Sequence, residues 1–166
     1  ADFLGCSFAA TPEVLRFWRK QGWQAVRLGL SKDVATGCHA AVLLLALRPE
    51  LQAQLDAWQQ QFQQQLPVWL AHGLSDLSTE IIVPLLQSGM VEPLTLQEQQ
   101  DLLAFTEHHR SPDHCWPSVL RAMQVHSAEL AQLPEMLAAL LIQRFWQGKE
   151  WAWLAQQHQL SGQKAV

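Results

Sequence analysis

The sequence predicts an α+β chain, with three strands and one helix followed by an all-helical region. Three observations carry this. Residues 3 to 47 read as short apolar runs around one well-capped helical segment. The run "CHAAVLLLAL" (38–47) is apolar nearly throughout, as a central strand buried on both faces would be. After Arg48-Pro49 the apolar residues recur at three- and four-residue steps instead of in runs. The predicted division is therefore 1–48 and 49–166.

The elements follow in order. "FLGCSF" (3–8) is a short apolar strand bounded by small residues. In "TPEVLRFWRKQGW" (11–23), Thr11 is a plausible N-cap, Pro12 suits the first helical position and Glu13 suits the positive helix end. Val14, Leu15 and Trp18 make one apolar stripe with Phe17 at its edge. Arg19 and Lys20 fall in the last turn, and Gly22 is a good stop residue. "WQAVRLGL" (23–30) alternates loosely, as a strand with one more exposed side, and "SKDVATG" (31–37) is a polar loop.

In the second region Leu51, Leu55, Trp58, Phe62, Leu66 and Trp69 form one long amphipathic stripe, which Pro67 is expected to kink or break. "TEIIVPLLQSG" predicts a short helix ending at Gly89. Thr95 to Glu98 match a capping box that opens a helix to about Glu107. Further helices are predicted over about Cys115–Leu130 and Pro134–Trp146, and the chain closes with a helix and a turn. "QQQFQQQ" is explained by an exposed Gln face around Phe62.

Composition narrows the function. About half of the 166 residues (49%) are apolar, enough for a packed core. No apolar run reaches the roughly 18 residues that span a bilayer. "ADFLGCSF" has neither the basic start nor the long apolar stretch of a signal peptide. Cys6, Cys38 and Cys115 are widely spaced and form no C-x-x-C pair, which argues against a disulfide framework and for a reducing, cytoplasmic setting. The net charge of -4 does not advertise a nucleic-acid binder. Residues 1 to 50 carry six basic and four acidic groups, whereas residues 51 to 166 carry five basic and eleven acidic. The chain opens without Met, directly on a strand-like run, so it is expected to be a piece of a longer one.

The pattern Thr11, Val14, Phe17, Trp18, Lys20, Gly22, Trp23 resembles the closing segment of the GNAT acetyltransferases. Residues 2 to 47 more closely resemble the end of the acetyltransferase domain in the tRNA(Met) cytidine acetyltransferases. "SFAATPEVLRFW", the basic pair, the Gly-aromatic step and "GCHAAVLLL" carry that likeness. Residues 51 to 166 are similar, more loosely, to the helical tRNA-binding region of bacterial members. The resemblance implies that residues 1–48 are the C-terminal strands and helix of a GNAT sheet, and that 49–166 are a helical, tRNA-binding-like domain. It implies acetyl-CoA as cofactor, with ATP and Mg in an upstream helicase-like module. The implied reaction is acetylation of the exocyclic amine of the wobble cytidine in elongator tRNA(Met), by direct attack of that amine on the acetyl carbonyl. The family holds the acyl carrier's pyrophosphate on a glycine-rich loop at a helix N-terminus. Neither that loop nor a P-loop stands in this sequence, so the upstream ATPase and GNAT core are implied partners and the chain alone is expected to be inactive.

For site residues, the resemblance places Glu13 and a last-turn base at positions that contact acetyl-CoA. The contacting base in the family is usually the second of the pair and usually Arg. Here that place is Lys20, preceded by Arg19, so both are candidates. A Lys supplies charge without a two-pronged contact. The residues alone also fit plain dipole electrostatics, an acid at the helix start and bases at its end. Trp18 stands where many GNAT enzymes carry a Tyr that can protonate the leaving thiolate. Indole cannot do so and the chain has no Tyr, so the catalytic residues are unassigned and Trp18 is expected to pack the core or border the cofactor. His39 has the chemistry of a base for an amine, although a satisfied histidine near a strand end is the commoner role.

In the helical region Arg110, Arg121, Arg144 and Lys149 are the candidate RNA contacts. "HHRSPDHC" (108–115) offers four metal-ligating side chains, but adjacent pairs converge poorly on a tetrahedron, so a polar loop and no metal is expected. The closing "WLAQQHQLSGQKAV" resembles a helix-turn-helix only faintly, with Lys164 the one cation of its truncated second helix. Two other functions fit the composition: an acidic, Gln- and Trp-rich helical module that docks another protein, and a small GNAT enzyme acting on a small amine. The missing phosphate loop argues against the second. The apolar edge of "FLGCSF" is expected to let the fragment self-associate.

Overall fold

The computed structural model describes residues 1–86 and 91–161. It is α+β, as predicted, and divides into two compact units, 1–90 and 91–166. The expected division at 48/49 is the point where strands give way to helices, and it falls inside the first unit.

The first unit opens with strand β1 (Phe3–Ala9), helix α1 (Pro12–Lys20), and strands β2 (Gln24–Lys32) and β3 (His39–Ala46). The sheet has the order β1-β3-β2 and is antiparallel throughout, so the most apolar strand is central. Ala41 and Leu43 of β3 are fully buried, whereas Val42 and Leu44 on its other face are only half-buried. Phe8 pairs with Ala41, and its ring stacks on Trp18 of α1, so α1 covers the Ala41 face. Phe3 pairs with Ala46 on the opposite face, where its ring meets Trp58, 5.1 Å between centroids. The register between β2 and β3 shifts twice, between Ala25 and Arg27 and between Leu28 and Lys32, so β2 is bulged along the edge of the sheet.

A 3-10 turn (Pro49–Leu51) leads into α2 (Gln52–Ala71), which packs on β2 and β3. The expected break at Pro67 does not occur. Pro67 lies in the last turns, where it forfeits only its bond to the Gln63 carbonyl, and fully buried Leu66 and Leu70 hold those turns in place. The buried face runs through Leu55, Gln59, Phe62, Gln63, Leu66 and Leu70, so Trp58 and Trp69 lie at its margin. Gln63 donates to the Leu85 carbonyl at 2.6 Å, tying α2 to α3 (Thr79–Leu86), and α3 also packs against α1. Gly89, the expected end of that helix, lies outside the described residues.

The second unit contains α4 (Leu96–Thr106), α5 (Pro112–Val125), α6 (Ser127–Leu130), α7 (Glu135–Leu141) and α8 (Trp151–Gln157). Thr95 and Glu98 form the predicted capping box. The helix expected over Cys115–Leu130 is two helices, divided at His126. Helix α7 continues as a π-helical turn (Ile142–Trp146) that puts Ile142, Phe145 and Trp146 in the core, and Trp116 of α5 donates to the Phe145 carbonyl at 2.9 Å.

Candidate functional site

Helix α1 is built as its sequence prescribes. The Thr11 hydroxyl accepts from the Val14 N–H, Pro12 fills the first position and Glu13 lies in the first turn. At the far end Gly22 takes φ +82°, the left-handed conformation of a helix stop. Its N–H donates to the Arg19 carbonyl, and the Trp23 N–H reaches back to the Trp18 carbonyl.

The structure puts the three cofactor candidates on one helix but not at one point. Glu13 and Lys20 are both exposed and, seven residues apart, share a helix face about 10 Å apart along the axis. Arg19 points elsewhere and is half-buried, and burial lowers its guanidinium pKa from the ordinary value. For a phosphate-bearing acyl carrier, Lys20 therefore offers the accessible charge.

Trp18 sits in an aromatic cluster with Phe8, Phe17 and Trp23, which is the packing role. His39 is only 6% exposed and its Nδ1 lies 2.8 Å from the Gly29 carbonyl. Nδ1 is the donor in that bond, which pins the ring across the β2–β3 pair and describes a satisfied histidine. Burial also pushes the Cys6 thiol pKa up, which disfavours a thiolate on β1.

The RNA candidates of the second unit are each engaged. Arg110 pairs with Asp101. Arg121 pairs with Glu98 at 3.3 Å and donates to the Glu92 carbonyl at 2.8 Å. Arg144 is 7% exposed, held between the rings of Trp116 and Trp151 at 4.6 and 4.7 Å from their centroids. One of its nitrogens donates to the Lys149 carbonyl and another lies 3.7 Å from Asp113. The guanidinium is enclosed in the unit rather than presented at its surface. Lys149 is half-exposed with its ammonium over the Trp153 ring. The polar loop expected over 108–115 gives way to α5 from Pro112 on; there the Ser111 hydroxyl bonds His114 Nδ1 at 2.8 Å and the Cys115 thiol donates to the Asp101 carbonyl. Lys164 lies outside the described residues.

One concavity was not read from the sequence. Between α2 and the β2–β3 face a groove of about 450 Å³ is lined by Trp58, Gln61, Gln65 and Trp69 on the helix and by Arg27 and Val42 on the sheet. The signal was present as two tryptophans flanking the apolar stripe of a Gln-rich helix.

Residues 1–48 match the family GNAT acetyltransferase 2, which places this strand–helix–strand–strand segment in the acetyltransferase class. The chain as a whole is similar to the tRNA(Met) cytidine acetyltransferases TmcA. The enzyme from Nitrosococcus halophilus is 33% identical over 99% of this chain and 23% of its own length. That from Vibrio cholerae is 33% identical over 100% of this chain and 22% of its own, and that from Haemophilus ducreyi 27% over 93% and 24%. The chain thus spans about a quarter of the length of the curated relatives it matches. No described helix is long and apolar enough to cross a membrane.

Proposed function

We propose that this chain supplies the end of the acetyltransferase domain, and the helical region after it, to a cytoplasmic enzyme that acetylates the wobble cytidine of elongator tRNA(Met). The observation that carries the reading is similarity over nearly the full chain, through both compact units, to enzymes named for that one reaction. Acetyl-CoA is the acyl donor. ATP and Mg act in a part of the enzyme outside this chain.

Within the chain the exposed ammonium of Lys20 would hold a phosphate of the carrier as a point charge, with half-buried Arg19 the alternative base and Glu13 toward the other end of the same helix. The bound carrier supplies an activated acetyl thioester. Tight packing of α1 on β1 through Trp18 and Phe8 fixes the helix relative to the sheet, so the chain contributes orientation. Arg110, Arg121 and Lys149 remain the candidates for RNA contact in the second unit; Arg144 acts from inside it.

A specific observation favours a second reading for residues 91–161, a protein-docking module. All three arginines of that unit have carboxylate partners, which reduces the positive charge open to RNA. One assay tests the proposed reaction. A protein carrying this chain, given labelled acetyl-CoA, ATP and unmodified tRNA(Met), should put label on cytidine, while the 166-residue chain alone should transfer none. Label on a small amine and none on RNA would overturn the reading.

A further inference from the structure

The α2 groove of the first unit has the chemistry of a nucleobase site, and the geometry points to a binding site for a short single-stranded stretch of RNA. Trp58, 37% exposed, and half-buried Trp69 stand on the groove side of α2. Eleven residues apart, they lie about 16 Å from each other along the helix. Each already has one aromatic neighbour, Phe3 for Trp58 and Phe62 for Trp69, and the ring surface left open would take one base at each. Single-stranded nucleic acid is held in this way, by aromatic faces on which bases stack and by cations that follow the backbone.

The polar groups agree. Gln61 and Gln65 are exposed beside the tryptophans and bring amide donors and acceptors to a base edge. Arg27, on the bulged strand β2, is exposed at the groove with no ion-pair partner among the described residues. Among the described residues no carboxylate lines the groove, in a chain of net charge -4. Asp56, the acid of α2, is instead bonded by Gln24 and Gln52. The lining is thus complementary to a planar, anionic ligand, and the volume of about 450 Å³ suits one.

The choice of RNA as the ligand rests on the acetyltransferase reading, and the site itself is additional to it. The test is fluorescence anisotropy of the 166-residue chain with a short fluorescein-labelled single-stranded RNA, and with its duplex as control. The single strand should bind more tightly than the duplex. Trp58→Leu and Trp69→Leu should each weaken it about tenfold. Arg27→Gln, a surface change that leaves the fold intact, should lower the slope of log affinity against log salt by about 0.7. Wild-type affinity and slope in all three variants would overturn the site, as would capture of an acidic or apolar peptide with no RNA binding. RNA binding that follows these residues in a protein unable to acetylate cytidine would overturn the activity alone. Cytidine acetylation with an unchanged tRNA KM in Arg27→Gln and Trp58→Leu would overturn the groove alone.

Discussion

Trp23 closes helix α1 back onto Trp18 twice, by backbone and by side chain. Its N–H donates to the Trp18 carbonyl at 3.3 Å, and the two indoles meet edge to face with centroids 4.8 Å apart. Together with the Gly22 bond to Arg19 this is a Schellman stop with its hydrophobic contact, and it sets where the basic pair ends up.

Gly22→Ala should therefore be costly although Gly22 touches little. A Cβ there meets only the end of Leu45, so the loss comes from the left-handed backbone at φ +82°. We expect about 1 kcal/mol of destabilisation in the first unit, read by urea titration.

Lys20 and Arg19 should separate. In an enzyme carrying this chain, Lys20→Ala should raise the KM for acetyl-CoA several-fold and leave the melting temperature unchanged, because its head group is exposed. Arg19→Ala should lower the melting temperature, because its stem is half-buried. A raised KM in Arg19→Ala alone would reverse the assignment.

Arg144→Ala should destabilise the second unit by roughly 2–4 kcal/mol, since it empties the space between two indoles and removes two cation–π contacts. Arg144→Lys should restore little, because an ammonium does not stack as a plane. RNA affinity measured on folded variants should not follow these losses. If it did, Arg144 would be a contact rather than a brace.

Acid should loosen the start of α4. The Thr95 N–H, then the Thr95 hydroxyl and Arg121, hold the Glu98 carboxyl below its ordinary value of 4.5. The folded state then binds the proton less readily than the unfolded chain. The stabilisation is complete above about pH 4.5 and fades as pH falls through the depressed value. Melting temperatures from neutral pH down to about 3 should drop for the parent chain. Glu98→Gln, which keeps a cap without the charge, should flatten this part of the curve.

Local signals were legible in the sequence and long-range ones were not. Thr11, Pro12 and Gly22 set α1 through bonds to residues within one turn, and Thr95 with Glu98 did the same for α4. The central place of β3 followed from its uninterrupted apolar run. By contrast, Gln63 reads as a surface residue until Leu85, 22 positions on, supplies its acceptor. Arg144 reads as a surface cation until Trp116, from another helix, and Trp151 enclose it. Pro67 reads as a break until the burial of its neighbours outweighs one missing bond. The groove was hidden for a related reason: Trp58 and Trp69 look like core on a helical stripe, and only the packing of α2 on the sheet leaves them lining a groove.

The sheet order has a consequence for synthesis. Among the described strands β1 pairs only with β3, and its first residue, Phe3, waits for Ala46. At about 5–20 residues per second, roughly 2–7 seconds pass between completion of β1 and that of β3. During this interval α1 can already form, because its cap and stop lie within its own thirteen-residue stretch from Thr11 to Trp23. The apolar strand before it stays unpaired against β3 until the central strand arrives. The nascent chain is thus most exposed to wrong strand pairing just before β3 emerges, and a pause that falls when residues 33–38 have just left the ribosome should lower the folded yield more than the same pause after Ala46 has left it.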